Sequence, residues 1–280
     1  MRWLSFRQDG NETFGYLNSG NQIVCVGAES PFATLKAAIK ADALDDLASQ
    51  SVESEPLALD DIEYLPTIPD PDKILCVGLN YREHQAETGR GGEDNPTIFV
   101  RFAAAQVGHL RNMVRPFESK ALDFEGEIAL IIGRHARRVV PADWLDYVAG
   151  FSCYNDGSVR DYQRHTSQFT PGKNFTGTGG FGPWMMTPDE VGDLNEMEIT
   201  TRLNGNVMQN AKSKQLVFGF AELVAYCSTF TDLVPGDVIV TGTPGGVGSA
   251  RTPPVFMDEG DVIEITVDPI GTLRNNVVVG

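Results

Sequence analysis

The chain has 280 residues, 22 Lys and Arg against 38 Asp and Glu, and a formal net charge of −16. With 41% hydrophobic and 21% charged residues it can bury a substantial core, which excludes a disordered tail. The acid surplus excludes nucleic acid as a partner, because phosphate binding runs on clustered Lys and Arg, while 29 Gly and 16 Pro point to a turn-rich, strand-heavy fold.

Short strands are predicted over 4–6, 14–17 and 23–26, then a helix over 34–48 with Leu35, Ala38, Ile39 and Leu47 on one face. The acidic stretch 53–63, followed by Pro66, Pro69 and Pro71, reads as a linker, so a domain boundary is placed near residue 70: a small N-terminal unit over 1–70 and a larger one over 71–280. Beyond it, strands are predicted over 74–77, 98–100, 127–132, 148–154, 199–203, 238–241 and 262–267. Asn204-Gly205 signals a hairpin, and 216–229 reads as an amphipathic helix. Strands do not alternate with helices, so a doubly wound nucleotide fold is not expected and the class is α+β, mostly β.

Cys25, Cys76, Cys153 and Cys227 lie far apart in apolar runs, as small buried hydrophobes do. The N-terminus shows no apolar leader and no stretch is long enough to span a bilayer, so a soluble cytoplasmic protein without a membrane partner is expected. The run Gly177-Thr178-Gly179-Gly180-Phe181-Gly182 matches a dinucleotide fingerprint in letters only. Pro183 and Trp184 follow it instead of a helix, so it reads as a loop. The glycine-rich run from Gly242 to Ser249 has no Lys before the Ser and fails as a phosphate loop, though its amides could still meet a ligand.

Three segments carry candidate chemistry. Glu125 and Glu127, spaced i, i+2 at the start of an apolar strand, place two carboxylates on one face; a bound cation and a solvated strand end explain them equally well. Asp156 ends a second apolar run, followed by Arg160 and Gln163 on one face of a short helix, then Lys173. His84 and Glu87 fall on one face of a third short helix, where the carboxylate can fix the imidazole tautomer and make its other nitrogen a better base.

The motifs CVGLNYREH, DFEGEIALIIG, YNDGSVRDYQ, PGKNF, GFGPW, VPGDVIVTGTPGGVG and GTLRN, in this order, resemble the fumarylacetoacetate hydrolase family over residues 72–280. The resemblance implies a mixed β-sandwich roll, commonly a homodimer, with a small N-terminal α/β domain. It implies Mg²⁺ or Mn²⁺ on Glu125, Glu127 and Asp156, an oxygen-only set suited to hard cations. It places the His84–Glu87 pair in a lid, Lys173 beside the reacting atoms, and Arg160, Gln163 and Thr243 against the substrate. Many relatives carry Lys-Pro where this chain has Arg101-Phe102. Arg101 is therefore expected to face the substrate's distal group as a planar, bidentate donor. The implied substrate is a small anionic oxo acid. The leading expectation is hydrolytic C–C cleavage of an acylpyruvate such as fumarylpyruvate, with water activated by His84; the alternative is decarboxylation or isomerisation of an oxo-dicarboxylate.

Overall fold

The computed structural model describes residues 1–50 and 55–280. Its centre is the strand Gly126–Ile132, in which every residue is buried. Alternation explains this: Ile128, Leu130 and Ile132 enter one apolar cluster, and Ala129 and Ile131 enter another on the opposite face. Among the described residues the main sheet has 11 strands, and its long path runs Ile23–Cys25, Asn11–Leu17, Arg2–Gln8, Gly179–Met186, Val148–Asn155, Gly126–Ile132, Val238–Val240, Ile74–Gly78 and Thr97–Arg101. Along it only Val238–Val240 and Ile74–Gly78 pair in parallel.

A second sheet of five strands, Asn206–Lys212, Glu198–Leu203, Val262–Asp268, Gly271–Val279 and Met113–Arg115, contributes Ile199, Ile263, Ile265 and Leu273 to the first cluster. The helix Phe220–Phe230 joins the same cluster through Leu223, Val224 and Cys227. The result is the mostly β architecture expected, with mixed pairing in both sheets. All four cysteines are buried and unpaired. No helix among the described residues is long and apolar enough to cross a membrane.

Residues 1–70 do not stand off from this core. Their three long-path strands extend the main sheet through the pairing of Trp3 with Met185, and Trp3, Phe14, Leu35 and Ile39 pack in the cluster that holds Ala129, Ile131 and Val240. The predicted linker packs too: Leu57 bridges Ile23, and Glu63–Tyr64 pairs with Arg2–Gln8. Residues 53 and 54 of that stretch lie outside the described residues.

The single helix predicted over 34–48 is two, Leu35–Lys40 and Leu44–Ser49, because Asp42 takes a left-handed φ of 55° between them. The helix predicted to begin at 216 begins at Phe220. Val217 instead donates its N–H to Asn80 O, and the Gly219 N–H is capped by the Glu222 carboxylate. Asn204-Gly205 forms the hairpin turn with positive φ at both residues, as its sequence requires. The glycine run expected as a loop enters a strand at Gly179, where an added Cβ would lie 2.2 Å from Gln106 Oε1.

Asn80 ties the segment leading into the helix Arg82–Thr88 to this frame. Its Nδ2 donates to Phe218 O (3.0 Å) and Thr241 O (2.8 Å), and its Oδ1 accepts from Phe218 N–H (2.8 Å), all with Asn80 fully buried. Asn80→Ala leaves three backbone groups without partners and is expected to cost about 2–4 kcal/mol, read as a lower midpoint in urea unfolding.

Candidate active site

Two neighbouring antiparallel strands assemble the carboxylates. Gly126 pairs with Asn155 and Glu127 with Tyr154, so Asp156, one residue past its strand, arrives opposite Glu125. The Asp156 N–H donates to Glu125 O (2.8 Å), and the Glu125 N–H donates to Asn155 Oδ1 (3.1 Å), which locks the register. Glu125, Glu127 and Asp156 are all buried, with one ligand oxygen from each within 4.8 Å of the others. Only glycine fits between the two glutamates, since a Cβ on Gly126 would lie 2.1 Å from Thr201 Oγ1 on the second sheet.

Cations from three other segments converge on them. Lys173 Nζ donates to Glu125 Oε2 (2.7 Å) and Asp156 Oδ2 (2.6 Å). Arg160 Nε donates to Asp123 Oδ2 (2.8 Å) and Nη1 to Gln163 Oε1 (2.9 Å), so the predicted shared face of Arg160 and Gln163 is present. Arg160 Nη2 lies 2.7 Å from Glu125 Oε1 without hydrogen-bond alignment, which leaves a buried donor on the cavity wall. Burial alone would raise the Glu125 carboxyl, but Lys173, Arg160 and His84 outweigh it and hold it down to about 2.

Glu127 is different. Among the described residues no cation pairs with it; its partner is the Gly242 N–H at 2.5 Å. Burial, then Asp156 and Glu125, push its carboxyl well above the usual carboxylate range. Four buried carboxylates, counting Asp123, thus face three buried cations, Arg101, Arg160 and Lys173. The site needs one more positive charge at Glu127, and an all-oxygen donor set with that deficit fits a hard divalent ion. Gly242 reaches this position with a φ of 105°, a conformation glycine adopts without strain.

His84 is buried on the helix Arg82–Thr88, with Nδ1 2.7 Å from Glu87 Oε1. Glu87 Oε2 accepts the Gly246 N–H (2.8 Å), so the same carboxylate orients the imidazole and docks the helix on the glycine-rich loop. Thr243 lines the cavity, but its hydroxyl donates to Gly126 O (3.0 Å) and accepts from Gln209 Nε2 (2.8 Å). His84, Glu87, Glu125, Glu127, Arg160, Gln163, Lys173 and Thr243 therefore share one cavity of about 610 Å³.

Arg101 does not join them. Its side chain is fully enclosed behind Asp156, with Nη1 donating to Asp156 Oδ1 (2.6 Å) and Gly157 O (3.0 Å) and Nη2 to Thr178 Oγ1 (2.9 Å). The expected distal substrate contact is corrected to a supporting cation, because buried Asp156 needs charge on the side away from Lys173. The sequence reading also passed over Asp123, which accepts from the Gly248 and Ser249 amides as well as Arg160, and Gln209, which bridges the Gly126 N–H to Thr243. Asp123 stood inside the DFEGE motif as a signal; Gln209 had none.

The family model for the fumarylacetoacetate (FAA) hydrolase C-terminal domain matches residues 73–278. The chain belongs to the fumarylacetoacetate hydrolase family. It is similar to a mitochondrial oxaloacetate tautomerase of Bos taurus, 40% identical over 220 residues, covering 78% of this chain and 70% of the relative. Among solved structures it resembles a 5-carboxymethyl-2-hydroxymuconate delta-isomerase from Mycobacterium smegmatis (TM-score 0.81, 30% identity, all of both chains covered). It also resembles a maleylpyruvate hydrolase from Sphingobium sp. SYK-6 in complex with manganese(II) ion and pyruvate (TM-score 0.84, 27% identity, all of both chains covered). The relatives are enzymes, one of them solved with a manganese(II) ion, and the carboxylate triad of this chain could hold a metal.

Proposed function

We propose that this chain is a Mg²⁺- or Mn²⁺-dependent tautomerase or isomerase of an oxo-dicarboxylate, moving a proton at the carbon next to the 2-oxo group. The observation that carries the reading is the His84–Glu87 pair in one cavity with Glu125 and Glu127, two members of a buried carboxylate triad that lacks one positive charge. Likeness to oxaloacetate tautomerases and to a muconate-type isomerase supports proton transfer over the hydrolysis expected first. The manganese-bound maleylpyruvate hydrolase keeps hydrolytic cleavage as the second reading.

A divalent ion on Glu125, Glu127 and Asp156 would supply Lewis-acid polarisation of the substrate's 2-oxo oxygen. Arg160, on the cavity wall beside Glu125, binds the acid group, and Gln163 holds the guanidinium in place. His84, its Nδ1 fixed by Glu87, takes the proton from the carbon beside the oxo group through Nε2. The electron pair moves onto the oxo oxygen, where the Lys173 ammonium stabilises the developing charge. That ammonium stays charged because Asp156 and Glu125 together outweigh its burial and raise it above the ordinary lysine range. Reprotonation on oxygen or on a carbon further along the chain completes tautomerisation or isomerisation.

The test is incubation of metal-loaded protein with oxaloacetate-type acids and acylpyruvates in D₂O, followed by mass spectrometry and NMR. Metal-dependent deuterium gain beside the oxo group, with an intact carbon skeleton, is the expected result. Cleavage of an acylpyruvate to pyruvate and the matching carboxylic acid would establish the hydrolase instead, pyruvate and CO₂ from oxaloacetate would mark a decarboxylase, and no reaction across the panel sinks both readings.

A further inference from the structure

Beyond the carboxylate triad the cavity wall changes character. Glu87, Glu125 and Glu127 are the carboxylates of that wall, and each is already engaged, by His84 and Gly246, by Lys173 and Arg160, and by Gly242. Two further arginines line the same cavity, Arg90 and Arg164, both exposed. Among the described residues neither guanidinium forms an ion pair or hydrogen bond, although the chain carries 38 acidic residues to 22 basic ones. Around Arg164, Gln163, Thr166 and Ser167 add further donors to the wall.

Their positions set a direction. Arg164 donates its backbone N–H to Arg160 O (3.2 Å), so it stands one helical turn beyond the arginine that contacts Glu125. One turn separates such side chains by about 5–6 Å at Cβ, the scale of the spacer between the two acid groups of a short oxo-dicarboxylate. Arg90 follows the lid helix that carries His84 and lies between Gly89 (φ 65°) and the pair Gly91 (φ 120°) and Gly92 (φ 84°). Those glycines let the chain turn there, which sets Arg90 on the cavity wall.

We propose that Arg164 and Arg90 form a clamp for the distal carboxylate of the substrate, Arg164 fixed by its helix and Arg90 delivered by the lid, and that this clamp selects dicarboxylates over monocarboxylic oxo acids. The inference rests on the proposed oxo-dicarboxylate reading, and it assigns the distal group to these two arginines in place of enclosed Arg101. Guanidinium forks match a carboxylate edge-on, so each arginine lost removes charge-assisted hydrogen bonds that only the dicarboxylate makes.

The test is isothermal titration calorimetry of Mn²⁺-loaded protein with 2-oxoglutarate and with 2-oxopentanoate, the same carbon chain without the second carboxylate. Wild type is expected to prefer the dicarboxylate by about tenfold or more. Arg164→Gln is expected to remove most of that preference, Arg90→Gln part of it, and the double variant all of it. Arg82→Gln, on the same lid helix but off the cavity wall, keeps the preference and controls for net charge. A wild type without the preference, or without binding, overturns the clamp, as does a double variant that retains it. The binding readout separates the two claims: a preference lost in the variants upholds the clamp even if the turnover panel shows no reaction.

Discussion

Stripping divalent metal with excess chelator is expected to abolish turnover, and Glu127→Gln is expected to come close to the same loss while stabilising the metal-free protein. Lewis-acid stabilisation is worth several kcal/mol, which corresponds to a rate loss of about 10³-fold or more. The opposite effect on stability follows from the charge deficit at Glu127, a buried carboxylate whose partner is one backbone amide. Burial and the neighbouring Asp156 and Glu125 raise its carboxyl well above the ordinary glutamate range, so the metal-free fold favours the protonated form. A group raised on folding contributes stability below its unfolded pKa and loses it as pH rises. Metal-free wild type should therefore lose melting temperature relative to Glu127→Gln between roughly pH 5 and pH 8. Glu125 works in the other direction: held down to about 2, its contribution is present above 4.5 and lost only as pH falls toward 2, outside that window. Because the ion must displace the Glu127 proton, the melting-temperature gain on adding Mn²⁺ should grow with pH. Parallel melting curves for the two metal-free proteins across this range would remove Glu127 as the uncompensated group.

Much of this site could be read before folding because its parts are local. Glu125 and Glu127 needed only strand alternation, Arg160 and Gln163 only helical spacing, and His84 and Glu87 only one turn of helix; each pair meets in the structure as that periodicity requires. Periodicity could not show how the charges balance. Arg101 reaches Asp156 from 55 residues away, Arg160 reaches Asp123 across 37, and Gln209 reaches Gly126 across 83. Each contact depends on sheet order, which no local window encodes. Arg101 illustrates the cost: by position it looked like a substrate contact, yet sheet packing encloses it behind a carboxylate. The same holds for the fold. The Asn204-Gly205 turn was legible from two residues, whereas the attachment of residues 1–70 to the main sheet depends on pairing Trp3 with Met185, 182 positions along the chain.

His84→Ala is expected to lower kcat by about 10²–10⁴-fold, the range for a positioned general base, while metal affinity measured by Mn²⁺ titration stays near wild type because His84 is not one of the three ligands. The rate of deuterium entry beside the oxo group in D₂O is the direct readout, since it reports proton removal whether or not later steps follow. Glu87 acts through His84: it touches Nδ1 with one oxygen and the Gly246 amide with the other, with its side chain 21% exposed. Glu87→Gln should therefore reduce the exchange rate by less than His84→Ala does, and weaken the docking of the helix Arg82–Thr88 on the glycine-rich loop. If the pair is one unit, adding Glu87→Gln to His84→Ala should slow exchange little further, because the orienting carboxylate has nothing left to orient. Fully additive losses would assign Glu87 a separate role at the substrate, and an unchanged exchange rate in His84→Ala would pass the proton-transfer role to another group in the cavity.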